Sequence, residues 1–202
     1  MTDATENIPP PPPPPVGDAA AAPDDEALML ALRDGDDLAL NLLMHRWQVP
    51  LRHFLERHLQ NEHDAHDLAQ ETFVRIYQHR ARWRDGSRFS TWMFQIGLNL
   101  TRDRVRWRSH RNHPPLDAAR DTASDAPLPA ATVELQERAE AVRVAIHALP
   151  DDLRATVILS EYEDRSHAEI ADIMRTTPKA VETRLYRARQ LLRKRLSRWL
   201  SC

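Results

Sequence analysis

Residues 166–189 read SHAEIADIMRTTPKAVETRLYRAR, and this stretch decides the fold. Ser166 followed three places later by Glu169 is a capping box: the serine hydroxyl accepts from free amides of the first turn, and the glutamate reaches back to the cap. The helix that starts there, through Ile170 to Met174, is short. Ala171 is small where a second helix must cross closely. Arg175 and Thr176 leave room only for a tight turn. Thr177 is a good N-cap and Pro178 a good first helical residue, so a longer helix is expected over about 178–198. Two helices joined by so short a turn form a helix-turn-helix, whose second member is the recognition helix.

The spacing within that second helix agrees. Val181, Leu185, Ala188 and Leu192 fall on one stripe and would pack on a core. Glu182, Thr183, Tyr186 and Arg187 fall on another and point away. Arg187 suits guanine edges, while Lys179, Arg184 and Arg189 flank it and suit phosphates. A plain helical hairpin with a charged exterior would show the same stripes. It would not explain why cap, turn, small residue and basic face occur together.

Outward from this motif the chain stays helical. Asp24 opens a short helix that ends near Asp34-Gly35. Leu38, Leu42, Leu43, Trp47, Leu51, Phe54, Leu55 and Leu59 recur at three- and four-residue spacing, with Pro50 expected to kink the run. A third helix is expected over about 64–82, with Leu68, Thr72, Phe73, Ile76 and Tyr77 inward. A fourth is expected over about 88–108, with Phe89, Trp92, Met93, Ile96 and Leu100 inward. Further helices are expected over 133–148 and 151–162, separated by Leu149-Pro150. The fold class is therefore all-α: two small helical domains, 24–111 and 133–200, joined by a flexible acidic linker over 112–132. Residues 1–23, with seven consecutive prolines at Pro9–Pro15, read as a disordered polyproline tail.

A net charge of −2 hides two basic stripes. Arg88, Arg102, Arg104, Arg106, Arg108 and Arg111 face only Asp103 in the first; the second, over 178–198, carries eight Lys and Arg against Glu182. Such stripes in an otherwise acidic chain are what phosphate contact calls for, although basic helix ends also suit the helix dipole. Arginines interleaved with Trp92 and Trp107 suit a melted strand, the arginines holding the backbone while rings stack on bases. Cys202 is the sole cysteine, so no intrachain disulfide can form and a reducing cytoplasm fits. Neither a signal peptide nor membrane insertion is expected. No nucleophile–base pairing or phosphate-cradling glycine loop stands out, so no catalysis and no cofactor are expected.

At this point the sequence resembles a known family. Asp67-Leu68-Ala69-Gln70-Glu71-Thr72-Phe73-Val74, Phe89-Ser90-Thr91-Trp92-Met93 and Asn99-Leu100-Thr101-Arg102-Asp103 look like region 2 of the sigma-70 family, extracytoplasmic-function group. Ala148-Leu149-Pro150, His167 to Ala171 and Lys179 to Arg189 look like region 4. The resemblance implies a sigma factor that binds core RNA polymerase and directs promoter-specific initiation. Asp67, Gln70, Glu71 and Arg75 would meet the polymerase clamp. Trp83, Arg84, Ser87 and Arg88 would hold a base flipped from the −10 element; Asn99, Arg102, Arg104, Arg106, Trp107 and Arg108 would hold the separated strand. The linker would thread into the polymerase cleft. Thr177, Lys179, Glu182, Thr183, Arg184, Tyr186, Arg187 and Arg189 would read the −35 element as duplex. An anti-sigma factor that masks both modules is also implied. Two departures bear on this: Arg175-Thr176-Thr177 replaces the usual small residue or glycine in the turn, and Glu182 stands where Lys or Arg is common.

Two other readings stay open. A helix-turn-helix regulator without polymerase binding explains 133–198 but leaves the 64–108 motifs idle. A metal sensor could use His53, His58, His63 and His66, since His63 and His66 lie near helical ligand spacing, yet no motif fixes a third ligand.

Overall fold

The computed structural model describes residues 23–110 and 130–200. All regular elements among them are helical: α1 (Asp25–Arg33), α2 (Leu38–Leu59), α3 (Glu62–Gln78), a 3₁₀ turn at Arg80–Arg82, α4 (Phe89–His110), α5 (Ala130–His147), α6 (Asp151–Glu161), α7 (His167–Met174), α8 (Pro178–Arg195) and α9 (Ser197–Leu200). The all-α expectation holds. The expected tail lies outside the described residues except for Pro23, as does the expected linker except for its last residues, which begin α5. Among the described residues no helix is long and apolar enough to cross a membrane.

Local chemistry sets the helix limits. The Asp24 side chain accepts from the Ala27 amide and starts α1; Asn61 does the same for α3 through the Asp64 amide. Gln60, in the left-handed region at φ 52°, closes α2. Helix α2 runs through Pro50 without a break. The missing amide orphans one carbonyl in a stretch where Arg46, Gln48 and Val49 are exposed, so water can replace the lost donor. Helix α8 stops at Arg195, short of the expected end, and a four-residue turn, α9, follows.

Helices α1–α4 enclose one core. Phe54 and Phe94, both fully buried, meet edge to face with ring centroids 5.1 Å apart. Where α4 crosses α2, Gly97 leaves space that a side chain would contest: a Cβ there would sit 3.2 Å from Leu51 Cδ1. That close crossing turns α4 from its expected orientation. Phe94 and Leu98 lie deepest with Phe89 and Met93, while Trp92, Ile96 and Leu100 are only half-buried. Helices α6–α8 enclose a second group, with Leu153, Ile158, Ile170, Ile173, Val181, Leu185 and Ala188 buried.

The two units are not separate beads. Helix α7 packs on α4 and α6 packs on α2, and buried apolar residues of both units form one continuous cluster. His58 of α2 is trapped at this junction, 1% exposed, with Nε2 3.4 Å from Asp151 of α6. Burial pulls its pKa down to about 4, and the cations of Arg154 and Arg102 and the His147 ring reinforce the shift against Asp151.

Two outcomes follow from this packing. Phe54→Ala should cost about 3–5 kcal/mol in urea unfolding, since the cavity cannot collapse among fully buried neighbours; a loss under about 1 kcal/mol would contradict the packing. The unfolded chain takes up a proton at His58 near pH 6.5, the folded chain only near 4. Its contribution is therefore intact above pH 6.5 and drains away as the pH falls toward 4. Urea midpoints of wild type and His58→Gln should diverge at pH 7 and draw together at pH 4.

Candidate nucleic-acid interface

The helix-turn-helix is built as its sequence dictates. Ser166 Oγ accepts from the Glu169 amide while Glu169 Oε2 accepts from the Ser166 amide at 2.9 Å, completing the capping box. Helix α7 ends at Arg175, which takes the left-handed conformation at φ 51° and sends its amide back to Asp172. Thr177 Oγ1 then accepts from the Ala180 amide at 3.2 Å, and Pro178 begins α8. Val181, Leu185 and Ala188 are buried against the core, with Leu192 partly so.

The opposite face of α8 is open. Glu182, Thr183, Tyr186, Arg187 and Arg189 are all exposed, Tyr186 at 65%. Lys179 Nζ lies 2.7 Å from Glu182 Oε2, and this hydrogen bond holds the Glu182 carboxyl below the usual range. The carboxylate is thus an exposed, ionised acceptor with Lys179 beside it. Thr183 donates back to the Lys179 carbonyl and Arg189 reaches Glu161 at 3.0 Å. Arg184 departs from its expected place. Its guanidinium turns toward its own module, 3.1 Å from Asp152 and beside Met174 Sδ, and is 25% exposed.

The first basic stripe divides in the same way. Arg84, Asn99 and Arg106 are exposed, and Trp107 is 51% exposed. Arg106 lies 3.7 Å from Asp103. Arg104 and Arg108 both reach Asp64, a buried carboxylate in the first turn of α3, at 2.9 and 2.6 Å. Arg102 is held by Asp151 at 3.1 Å and Asp152 at 2.8 Å. Trp83 is buried at 4% exposure, so it lines the wall of the expected base pocket and offers no open stacking face. Arg84, Ser87 and Arg88 stand around that wall, with Gly86 at φ 76° making the turn. They form one side of a cleft of about 970 Å³ whose other side is α7.

The α3 face is plain by comparison. Asp67, Gln70, Glu71 and Arg75 lie on the solvent side, with Glu71 and Arg75 paired at 2.7 Å. Among the described residues no three or more His, Cys, Asp or Glu come together to hold a metal, and His58 is spent on the junction.

Sequence reasoning missed the groups that bridge the modules. Asp151 and Asp152, which open α6 after Pro150, were given no role. Arg165 had no signal at all. Its guanidinium lies 5.6 Å from the Trp47 ring and 5.3 Å from Phe94 and donates to Ser90 Oγ at 3.1 Å. Beside it, burial raises the Glu163 carboxyl to about 7 despite Arg57 at 3.4 Å.

Residues 43–111 match the model for Sigma-70 region 2, and residues 139–192 match that for Sigma-70, region 4. The ECF RNA polymerase sigma-E factor of Haemophilus influenzae is 30% identical over 85% of this chain and 94% of its own length. The ECF RNA polymerase sigma factor SigW of Bacillus subtilis is 30% identical over 82% of this chain and 92% of its own. Among solved structures, CnrH in complex with the cytosolic domain of CnrY matches with a TM-score of 0.66 and 26% identity, covering 86% of this chain and 97% of that one. The sigma factor RpoE of Bartonella quintana, with the anti-sigma factor NepR, shares the fold at a TM-score of 0.63 and 21% identity, over 78% of this chain and 96% of that one.

The cap at the head of α8 gives a direct check. Thr177→Ala should lower stability by about 1 kcal/mol in thermal or urea unfolding; an unchanged midpoint would mean that Thr177 is not the cap.

Proposed function

This chain belongs to the extracytoplasmic-function group of the sigma-70 family, and from that premise we propose how its parts divide the work of a promoter-directing RNA polymerase subunit. The exposed side of α3, with Asp67, Gln70, Glu71 and Arg75, docks on the polymerase clamp. The 83–88 loop and α4 take the −10 element: Arg84, Ser87 and Arg88 border the pocket for an extruded base, and Trp83 walls it. Unstacking that base costs a few kcal/mol, which a preformed pocket and nearby cations offset. Asn99, Arg102, Arg104, Arg106, Trp107 and Arg108 line the path of the separated strand, with Arg104 and Arg108 pre-oriented by Asp64 of the same module. The domain limits 24–111 and 133–200, with a linker between them, go with this division.

Helix α8 reads the −35 element as duplex. Arg187 and Tyr186 face the groove, and Glu182, steered by Lys179, accepts from a cytosine amino group. Thr177 and Pro178 bring the helix N-terminus, with its unpaired amides, to a phosphate. Sigma factors are generally not enzymes, and no catalytic step is assigned here. CnrH is solved with the cytosolic domain of CnrY and RpoE with the anti-sigma factor NepR, which supports an anti-sigma partner for this chain too.

The observation that carries this reading is the exposed polar face of α8 in the same chain as a solvent-facing polar side of α3 that carries Asp67, Gln70, Glu71 and Arg75. Arg187→Ala should weaken binding to promoters bearing the −35 element by about 10- to 100-fold, at one bidentate base contact's worth of free energy. Retention on immobilised core polymerase should be unaffected. A variant that also lost core binding would show the face to be misassigned. A wild-type chain that core polymerase never retains would favour a regulator that acts alone.

A further inference from the structure

The proline run at Pro9–Pro15 has no part in the division of labour above, and neither has a solvent-facing apolar stripe on α2. Leu38, Leu42 and Val49 recur at helical spacing on the side of α2 turned away from its core. They are 70%, 52% and 46% exposed, and among the described residues no other helix leaves three large aliphatic side chains this open. Arg46 stands one turn from both Leu42 and Val49. It donates to the Pro23 carbonyl at 3.1 Å and pairs with Asp25, so the chain enters α1 beside the stripe. Tyr77 of α3, whose hydroxyl donates to Asp37 at 3.4 Å, adds an aromatic edge at the Leu38 end.

We propose that Pro9–Pro15 dock along the Leu38–Leu42–Val49 stripe of their own chain and cover it. The lengths agree. The stripe runs about 16 Å along the helix axis, and seven prolines in a polyproline II helix span about 20 Å. Eight peptide steps join Pro15 to Pro23, a reach of up to about 26 Å. The charges agree as well. Residues 1–22 carry Asp3, Glu6 and Asp18 without a Lys or Arg, whereas α2 carries Arg46, Arg52 and Arg57 against Glu56 alone. A polyproline II helix has its backbone fixed in advance and asks its host for apolar surface rather than a hydrogen-bond ladder. Tethering supplies the segment at high effective concentration, so three open side chains suffice. Arg52 nears Glu62 of α3 at 3.9 Å and Tyr77 meets Asp37, so α3 borders the stripe. A docked tail therefore crowds the α3 face assigned above to the polymerase clamp. That last consequence, and it alone, rests on the promoter-directing reading.

The full chain is tagged with a nitroxide at Ile8→Cys, with Cys202→Ser removing the other thiol, and its Leu and Val methyl groups are followed by NMR. Methyl signals of Leu38, Leu42 and Val49 should lose intensity several-fold, while those of Leu135 and Val144, exposed on α5, should keep theirs. Leu42→Ser, at a side chain outside the core, should restore the Leu38 and Val49 signals and leave helical content unchanged. Equal losses at all exposed methyls would overturn the docking. So would the same losses in an isotope-labelled, untagged chain mixed with a tagged, unlabelled one, since the occupant is then a second copy. In parallel, the chain without residues 2–16 should bind core polymerase about tenfold more tightly. Equal binding would overturn the crowding of α3. Binding by neither chain would sink the promoter-directing reading, and the methyl signals would still decide the docking.

Discussion

A guanidinium stays charged at any pH a cell reaches, so each arginine that folding brings to a half-buried place needs an anion beside it. This constraint organises the molecule. Folding brings Arg102 of α4 and Arg184 of α8 together at Asp152, and the chain answers its arginines with carboxylates at helix starts: Asp64 in the first turn of α3, Asp151 and Asp152 in the first turn of α6, Glu169 in that of α7. Each position also suits the positive end of its own helix dipole, so one acid serves two electrostatic demands. The exposed pairs are worth about 0–1 kcal/mol each, against an apolar cluster that runs through both units. Apolar packing therefore does most to hold the modules together, while the ion pairs decide which arginines are open to an incoming anion.

The recognition helix shows how local chemistry sets a functional direction. Its heading is fixed at both sides of the turn, by the capping box at Ser166 and Glu169 and by the Thr177 cap with Pro178. Arg175 between them adopts a left-handed backbone that glycine would take without strain, at a cost of about 1–2 kcal/mol. The buried run of Val181, Leu185 and Ala188 then leaves Tyr186 and Arg187 only one way to face.

Much of this was legible in the sequence because it is short-range. Caps, periodicity and turn residues act within a few positions, so the helices, the helix-turn-helix and the stripes of α8 could be read directly. The same holds for the solvent face of α3. What escaped was long-range. Nothing near Asp152 says that Arg102 and Arg184 will converge on it, and Arg165 gives no hint of Trp47 and Phe94. Arg184 was expected at phosphates because helical spacing places it beside Arg187; only the packing of α6 on α8 shows its carboxylate. Trp83 was expected at an open pocket because the family resemblance puts the 83–88 loop around an extruded base; its burial follows from how that loop folds over the first core. The contact between the two modules escaped for a similar reason, since surface complementarity between two folded units leaves no periodic trace.

The claim on which all of this rests is that the chain gives core RNA polymerase its choice of promoter. Reconstituted transcription from a genomic promoter library, with purified core enzyme and the full-length chain, tests it most directly. A discrete set of start sites should appear when the chain is added and vanish when it is withheld. Identical transcripts with and without the chain would contradict the account.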